Sequence, residues 1–157
     1  MIAEQMASKL RDAASSVLDM MCSAPVLADE EFPPAGCIDP MFVGLDFIGE
    51  ATGKFAMAVE WPVAESLARK FLGNSAPMSR REVVEVLGEL ANMLCGHLLG
   101  QLSYKETFTL SPPKELDRAE VVRIHQNPAG QSYQRSVHIS AGVLTMNVII
   151  DRDAENQ

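Results

Sequence analysis

The chain has 157 residues, 47% of them apolar and 22% charged, with a formal net charge of −8 at pH 7. That length suits one domain, residues 1–157, and the composition is that of a globular protein rather than a disordered one. The acidic balance argues against nucleic-acid binding, which needs lysine and arginine to neutralise phosphates, and against adsorption to anionic lipid. It leaves a basic patch on another protein as a suitable partner. Cys22, Cys37 and Cys95 are widely spaced, form no CxxC pair and have no histidine at metal-ligand spacing, so free thiols packed as small hydrophobes are expected. No stretch approaches the roughly 20 apolar residues of a membrane helix. The first residues lack the basic and apolar regions of a signal peptide, so a cytoplasmic protein is expected.

In chain order, Ile2, Met6, Leu10, Ala13, Val17 and Met20 or Met21 recur at helical spacing and predict an amphipathic helix over 2–22. Residues 24–40 carry Pro25, Pro33, Pro34, Gly36 and Pro40 around an acidic Asp29-Glu30-Glu31 run and read as a connector. Two β-like runs, 41–48 and 54–61, flank Gly49 to Gly53 as a hairpin whose glycines supply positive φ. Pro62 opens a short helix that Gly73-Asn74 closes. Ser79-Arg80-Arg81-Glu82 is a capping box, with Met78 and Val83 as its hydrophobic staple, and helical periodicity then runs to about Leu102. Ser111-Pro112-Pro113 breaks the chain. Residues 118–125, 133–140 and 143–151 read as three strands, and the tail 152–157 as frayed. A helix thus precedes a glycine-joined strand pair in each half. The expected fold is α+β, with helices packed on one face of a mostly antiparallel sheet.

The helix 79–102 carries the most informative pattern. At 100° per residue, Val83, Val84, Leu87, Leu90, Ala91, Leu94 and Leu98 span roughly 120° and form a core face. Glu85, Glu89, Asn92 and Gly96 fall within about 60° on the opposite side. Glu89 and Asn92 are three residues apart, so a carboxylate and an amide stand one turn above the other, facing solvent. Gly88, Gly96 and Gly100 sit inside this helix, where each costs about 1 kcal/mol relative to alanine. On the outer face no packing within the chain asks for a missing side chain, so close approach of another surface is the physical use for Gly96 and Gly100. A solvated Glu/Asn face with tolerated glycines is the plain alternative.

The run Glu89-Leu90-Ala91-Asn92-Met93-Leu94-Cys95-Gly96, followed by Ser111-Pro112-Pro113, resembles the CheC/CheX/FliY family of chemotaxis phosphatases. The signature there is ExxN on an exposed helix, commonly continued as N-M-[I/L]-x-G, with a proline beyond the helix. No second ExxN occurs at Asp12-Ala13-Ala14-Ser15 or Glu65-Ser66-Leu67-Ala68, which favours the single-motif CheX type. The resemblance implies a phosphatase acting on the aspartyl phosphate of a CheY-type response regulator. Asn92 would hold the attacking water and Glu89 would pair with the lysine lining the regulator's phosphorylation site. Glu85, Gly88 and Gly96 would face the partner; Glu85 stands where the family often has Asp or Ser, and the proline pair lies slightly closer to Asn92 than is usual. The resemblance further implies a homodimer formed through a sheet edge or terminal strands. No cofactor or metal belongs to the chain itself, Mg2+ being the regulator's. The alternative within the same fold is a non-catalytic module that binds a response regulator or serves in a flagellar switch.

The remaining candidates are weaker. His97, His125 and His138 lack a Ser, Cys or Asp partner nearby in sequence and read as satisfied or surface groups. Asp151-Arg152-Asp153 reads as a solvated charge cluster, and Gly49 to Gly53 is too sparse in glycine for a phosphate loop.

Overall fold

The computed structural model describes residues 3–37, 39–73, 76–102, 107–126 and 130–151. Ile2, Asn74 and the tail 152–157, to which expectations attached, lie outside the described residues. The elements are α1 (Ala3–Cys22), β1 (Ala28–Glu30), β2 (Met41–Ile48), β3 (Gly53–Val59), α2 (Trp61–Leu72), α3 (Arg80–Gln101), β4 (Thr109–Leu110), β5 (Lys114–Leu116), α4 (Arg118–His125), β6 (Gly130–Ile139) and β7 (Gly142–Asp151).

Seven strands form one sheet in the order β1-β6-β7-β3-β2-β4, with β5 also pairing β2, and every described pairing is antiparallel. The hairpins β2–β3 and β6–β7 meet through their second strands, Met57 opposite Met146. Period-two alternation sends Val43, Leu45, Phe47, Phe55, Met57, Val137, Leu144, Met146 and Val148 to one face. There they join Met6, Leu10 and Leu18 of α1, Leu67 of α2 and the leucines of α3 in a single core.

The capping box opens α3 as expected: Ser79 accepts from the Glu82 amide at 3.2 Å, and Glu82 accepts from the Ser79 amide at 3.1 Å. The hydrogen bond from the Ser79 amide, with the Ser79 side chain beside it, holds the Glu82 carboxyl below its usual range. Met78 and Val83 are both buried in the core cluster. Gly73 closes α2 in the left-handed region at φ 63°. Gly53 serves a different purpose from the positive φ expected of it: a Cβ there would lie 2.0 Å from the Ile149 carbonyl oxygen, so only glycine lets β3 and β7 approach.

Four expectations are corrected. Residues 118–125 are helical, because Asp117 accepts from the Glu120 amide at 2.8 Å and Glu120 accepts from the Asp117 amide at 3.2 Å, a second capping box. The resulting α4 packs Val121 and Ile124 against Phe42, Ala56 and Leu116 on the sheet face opposite α1, α2 and α3, so the helices are not confined to one face. The connector contains β1, whose Asp29 pairs with Arg135 at 2.6 Å and whose Glu30 pairs with His138. Cross-strand charge, not β propensity, makes this strand. Finally, α3 is by length and composition long and apolar enough to cross a membrane, but more than half of it is buried within the fold, as a core helix requires.

The chain after α3 returns along the free edge of β2 as β4 and then β5, interrupted by Ser111-Pro112-Pro113. Ser111 stitches the break, its amide donating to the Asp46 carbonyl at 2.9 Å and its hydroxyl accepting from the Asp46 amide at 2.8 Å. The prolines cannot donate to the ladder, so the chain bulges there.

Candidate functional site

The bulge brings Pro113 against α3. At Gly88 an added Cβ would lie 3.1 and 3.3 Å from Pro113 ring carbons. Gly88, expected to face a partner, is therefore buried, and an intrachain contact explains its missing side chain. The signal was present in the proline pair beyond the helix, but nothing in the spacing tied it to Gly88.

With Pro113 on one flank and α1, α2 and the sheet on the others, α3 is enclosed more widely than the expected core face. Val86, Gly88, Cys95 and Leu99 are buried in addition to the expected residues, while Val84, near the helix start, is only half-buried. A narrow strip remains open: Glu85, Glu89, Gly96 and Gly100 are exposed and Asn92 is half-buried. The structure thus brings Glu85, Glu89, Asn92 and Gly96 to one face, as the helical spacing requires.

The groups on this strip differ in how far the chain satisfies them. Glu85 pairs with Arg81 at 3.3 Å, one turn back. Glu89 has no hydrogen-bond or salt-bridge partner among the described residues. The Oδ1 of Asn92 is buried and has no hydrogen-bond partner, a condition that costs about 1–3 kcal/mol for a buried acceptor. Which end of the amide points inward is an assignment between nearly identical groups; as placed, the inward end is the oxygen. At Gly96 and Gly100 an added Cβ would meet no atom within 4 Å, so the backbone there lies bare.

The strip holds a carboxylate, an amide and exposed backbone, and no activated nucleophile. The thiol of Cys95, on the same helix, is buried and burial pushes it up to about 12; Cys22 is pushed up to about 11 in the same way. All three cysteines are free. His125 lies against the Val121 carbonyl at 3.0 Å and Asn147 Oδ1 at 3.4 Å, and His138 against Glu30, all away from α3. Among the described residues no group of three or more His, Cys, Asp or Glu is placed to hold a metal ion. The strip can therefore offer a hydrogen bond and a charge to another molecule, and it carries no covalent chemistry of its own.

A family model described as "Chemotaxis phosphatase CheX" matches residues 42–134, more than half of the chain. Comparison with curated protein sequences finds no match. Among solved structures, the fold resembles a chain of the CheX–CheY–BeF3–Mg complex from Borrelia burgdorferi, with a TM-score of 0.72 and 19% identity over 92% of this chain and 97% of that one. It resembles a CheC-like superfamily protein from Shewanella sp. PV-4 at a TM-score of 0.70 and 16% identity, over 96% of this chain and 100% of that one. Thermotoga maritima FliY is similar at a TM-score of 0.63 and 15% identity, over 96% of this chain and 90% of that one. At these identities the structures establish the shared fold, and the family model, spanning β2 through β6 with the whole of α3, establishes that the chain belongs to the CheX family.

Proposed function

We propose that this protein is a phosphatase of the CheX type, which speeds hydrolysis of the aspartyl phosphate on a CheY-type response regulator. The observation that carries the proposal is the strip on α3. Glu89 and Asn92 stand one turn apart on a strip of a largely enclosed helix that another protein can reach, and neither the Glu89 carboxylate nor Asn92 Oδ1 has a partner among the described residues. The relative from Borrelia burgdorferi, solved as a complex of CheX with CheY, BeF3 and Mg, supports a CheY-type partner.

An aspartyl phosphate is already reactive, so the part a phosphatase must add is an oriented water. In this proposal the water donates a hydrogen bond to Asn92 Oδ1, which aims an oxygen lone pair at phosphorus, and the water's protons leave with the phosphate. The P–O bond to the aspartyl carboxyl breaks as the water oxygen bonds to phosphorus, leaving a free carboxylate and inorganic phosphate. Turning Oδ1 outward about the side-chain bond sacrifices no hydrogen bond, because the oxygen has none in the free protein. Glu89 supplies register through a charge-assisted contact with the regulator's lysine. Mg2+ belongs to the regulator's acidic pocket. The magnesium named in the Borrelia burgdorferi complex of CheX with CheY supports that division.

Asn92→Ala is expected to lower the rate of regulator dephosphorylation by about a hundredfold, while binding to the BeF3-loaded regulator stays within a few-fold. Glu89→Ala is expected to weaken that binding by about 2–3 kcal/mol. Equal hydrolysis by Asn92→Ala and the parent would show that the amide is not the catalytic group. Binding without any acceleration by the parent would favour a non-catalytic module.

The exposed glycine gives a test that separates folding from docking. A Cβ at Gly96 meets nothing within the chain, so Gly96→Ala should raise stability by up to about 1 kcal/mol through helix propensity. If a partner surface closes on this backbone, the same change weakens docking; a variant that melts higher and docks as well as the parent removes Gly96 from the interface.

The homodimer implied by the family resemblance belongs to the same proposal. One described sheet edge is the three-residue β1 and the other is broken by prolines, so neither offers a long unpaired strand. Light scattering at twice the mass of the chain would support the dimer, and scattering at the single-chain mass would contradict it.

A further inference from the structure

The open strip is flanked at Glu89 by a groove of about 520 Å3, set between the end of α2, the first half of α3 and Pro113. Its apolar surface comes from Phe71, Leu72, Val84 and Pro113. Leu72 is 50% exposed, one of few large aliphatic side chains left in solvent. Around this surface stand three carboxylates, Glu82, Glu85 and Glu89. Glu82 is committed to capping α3. The Glu85–Arg81 pair is mostly exposed, with side chains 66% and 89% accessible, and pairs of that kind contribute about 0–1 kcal/mol, so an incoming cation can replace Arg81 with little loss. Glu89 is unpaired.

We infer that this groove seats an apolar side chain of the response regulator's receiver domain, flanked there by lysine or arginine. The inference rests on the proposal that the α3 strip docks on a receiver. Two observations select that occupant. The groove is continuous with the docking strip, sharing Glu89 with it, so a partner placed over Asn92 covers the groove as well. Its acidic rim calls for a basic surface, and a second copy of a chain with net charge −8 would meet that rim with like charge. An apolar anchor within a charged rim is also the anatomy of an interface that concentrates binding energy in a few residues. Leu72 and Glu85 are thus specificity-determining residues, acting on affinity and partner choice rather than on the water.

The test measures Kd for a BeF3-loaded CheY-type receiver domain from the same organism, and KM and kcat for its phosphorylated form. Leu72→Ser lies at an exposed helix end and leaves the core intact. It is expected to raise Kd and KM about tenfold while kcat at saturation falls less than twofold. Glu85→Lys is expected to raise Kd and to flatten its dependence on salt. Val122→Ser, an exposed apolar residue of α4 on the opposite face of the sheet, should change neither constant. If both groove variants bind within twofold of the parent while Asn92→Ala still abolishes hydrolysis, the groove is not part of the interface and the phosphatase proposal stands. If Leu72→Ser instead dissociates a dimer and leaves receiver affinity unchanged, the occupant is a second copy and the inference is overturned. A parent that neither binds nor accelerates any receiver overturns both proposals.

Discussion

The packing of α3 is the constraint from which the rest of the molecule follows. Leu87, Leu90, Leu94 and Leu98 are fully buried, each contributing about 1.5–3 kcal/mol by leaving water. They meet the sheet, α1 and α2 in one core. Pro113 closes on the fourth side because Gly88 has no side chain to hold it off. A helix gripped on so many sides cannot rotate: turning it by one residue, about 100°, would drive Glu89 toward the core and bring leucines to the surface. The core thereby decides which residues are presented to a partner, and holds a carboxylate and an amide on rigid secondary structure rather than on a loop.

What the strip presents is unfavourable for the isolated chain. An amide oxygen buried without a partner and two bare glycines in a helix each reduce stability, and a solvated carboxylate and an exposed leucine beside them add nothing to it. Local choices that conflict with folding tend to gather where function is. Here they cluster along about three turns of one helix and the groove beside it, while the opposite wall of the same helix follows every packing rule. The further groove at Leu72 extends that cluster from the water-positioning amide toward the part of the surface that selects a partner.

The legible parts of the sequence were those with a strong local signature. Ser79 and Glu82 marked the start of α3, Pro62 and Gly73 bracketed α2, and the alternation of Val137 and Ile139 with His138 and Ser140 marked β6. The misses have physical causes. Asp117-Arg118-Ala119-Glu120 is the same capping device as at Ser79, yet Val121, Val122 and Ile124 favour strand by propensity, and the cap prevails only with Val121 packed on Ala56. Ala28-Asp29-Glu30 has almost no strand propensity and is held by partners more than a hundred residues away, an ion pair of Asp29 with Arg135 and a side-chain contact of Glu30 with His138. Glu89 and Asn92 were visible as a shared helix face, but only the family resemblance assigned them roles. The contact of Pro113 with Gly88, which shapes the groove, is long-range and left no local trace.

The central claim is that Asn92 is held for a partner and not for the fold, and equilibrium unfolding of Asn92→Ala in urea tests it most directly. Alanine has the higher helix propensity and removes a buried polar atom that lacks a partner. The account predicts a variant as stable as the parent or more stable by about 1 kcal/mol, with an unchanged m-value. A loss of 1 kcal/mol or more would show that the amide supports the helix packing, and would contradict its assignment as a group kept for the regulator's phosphoryl site.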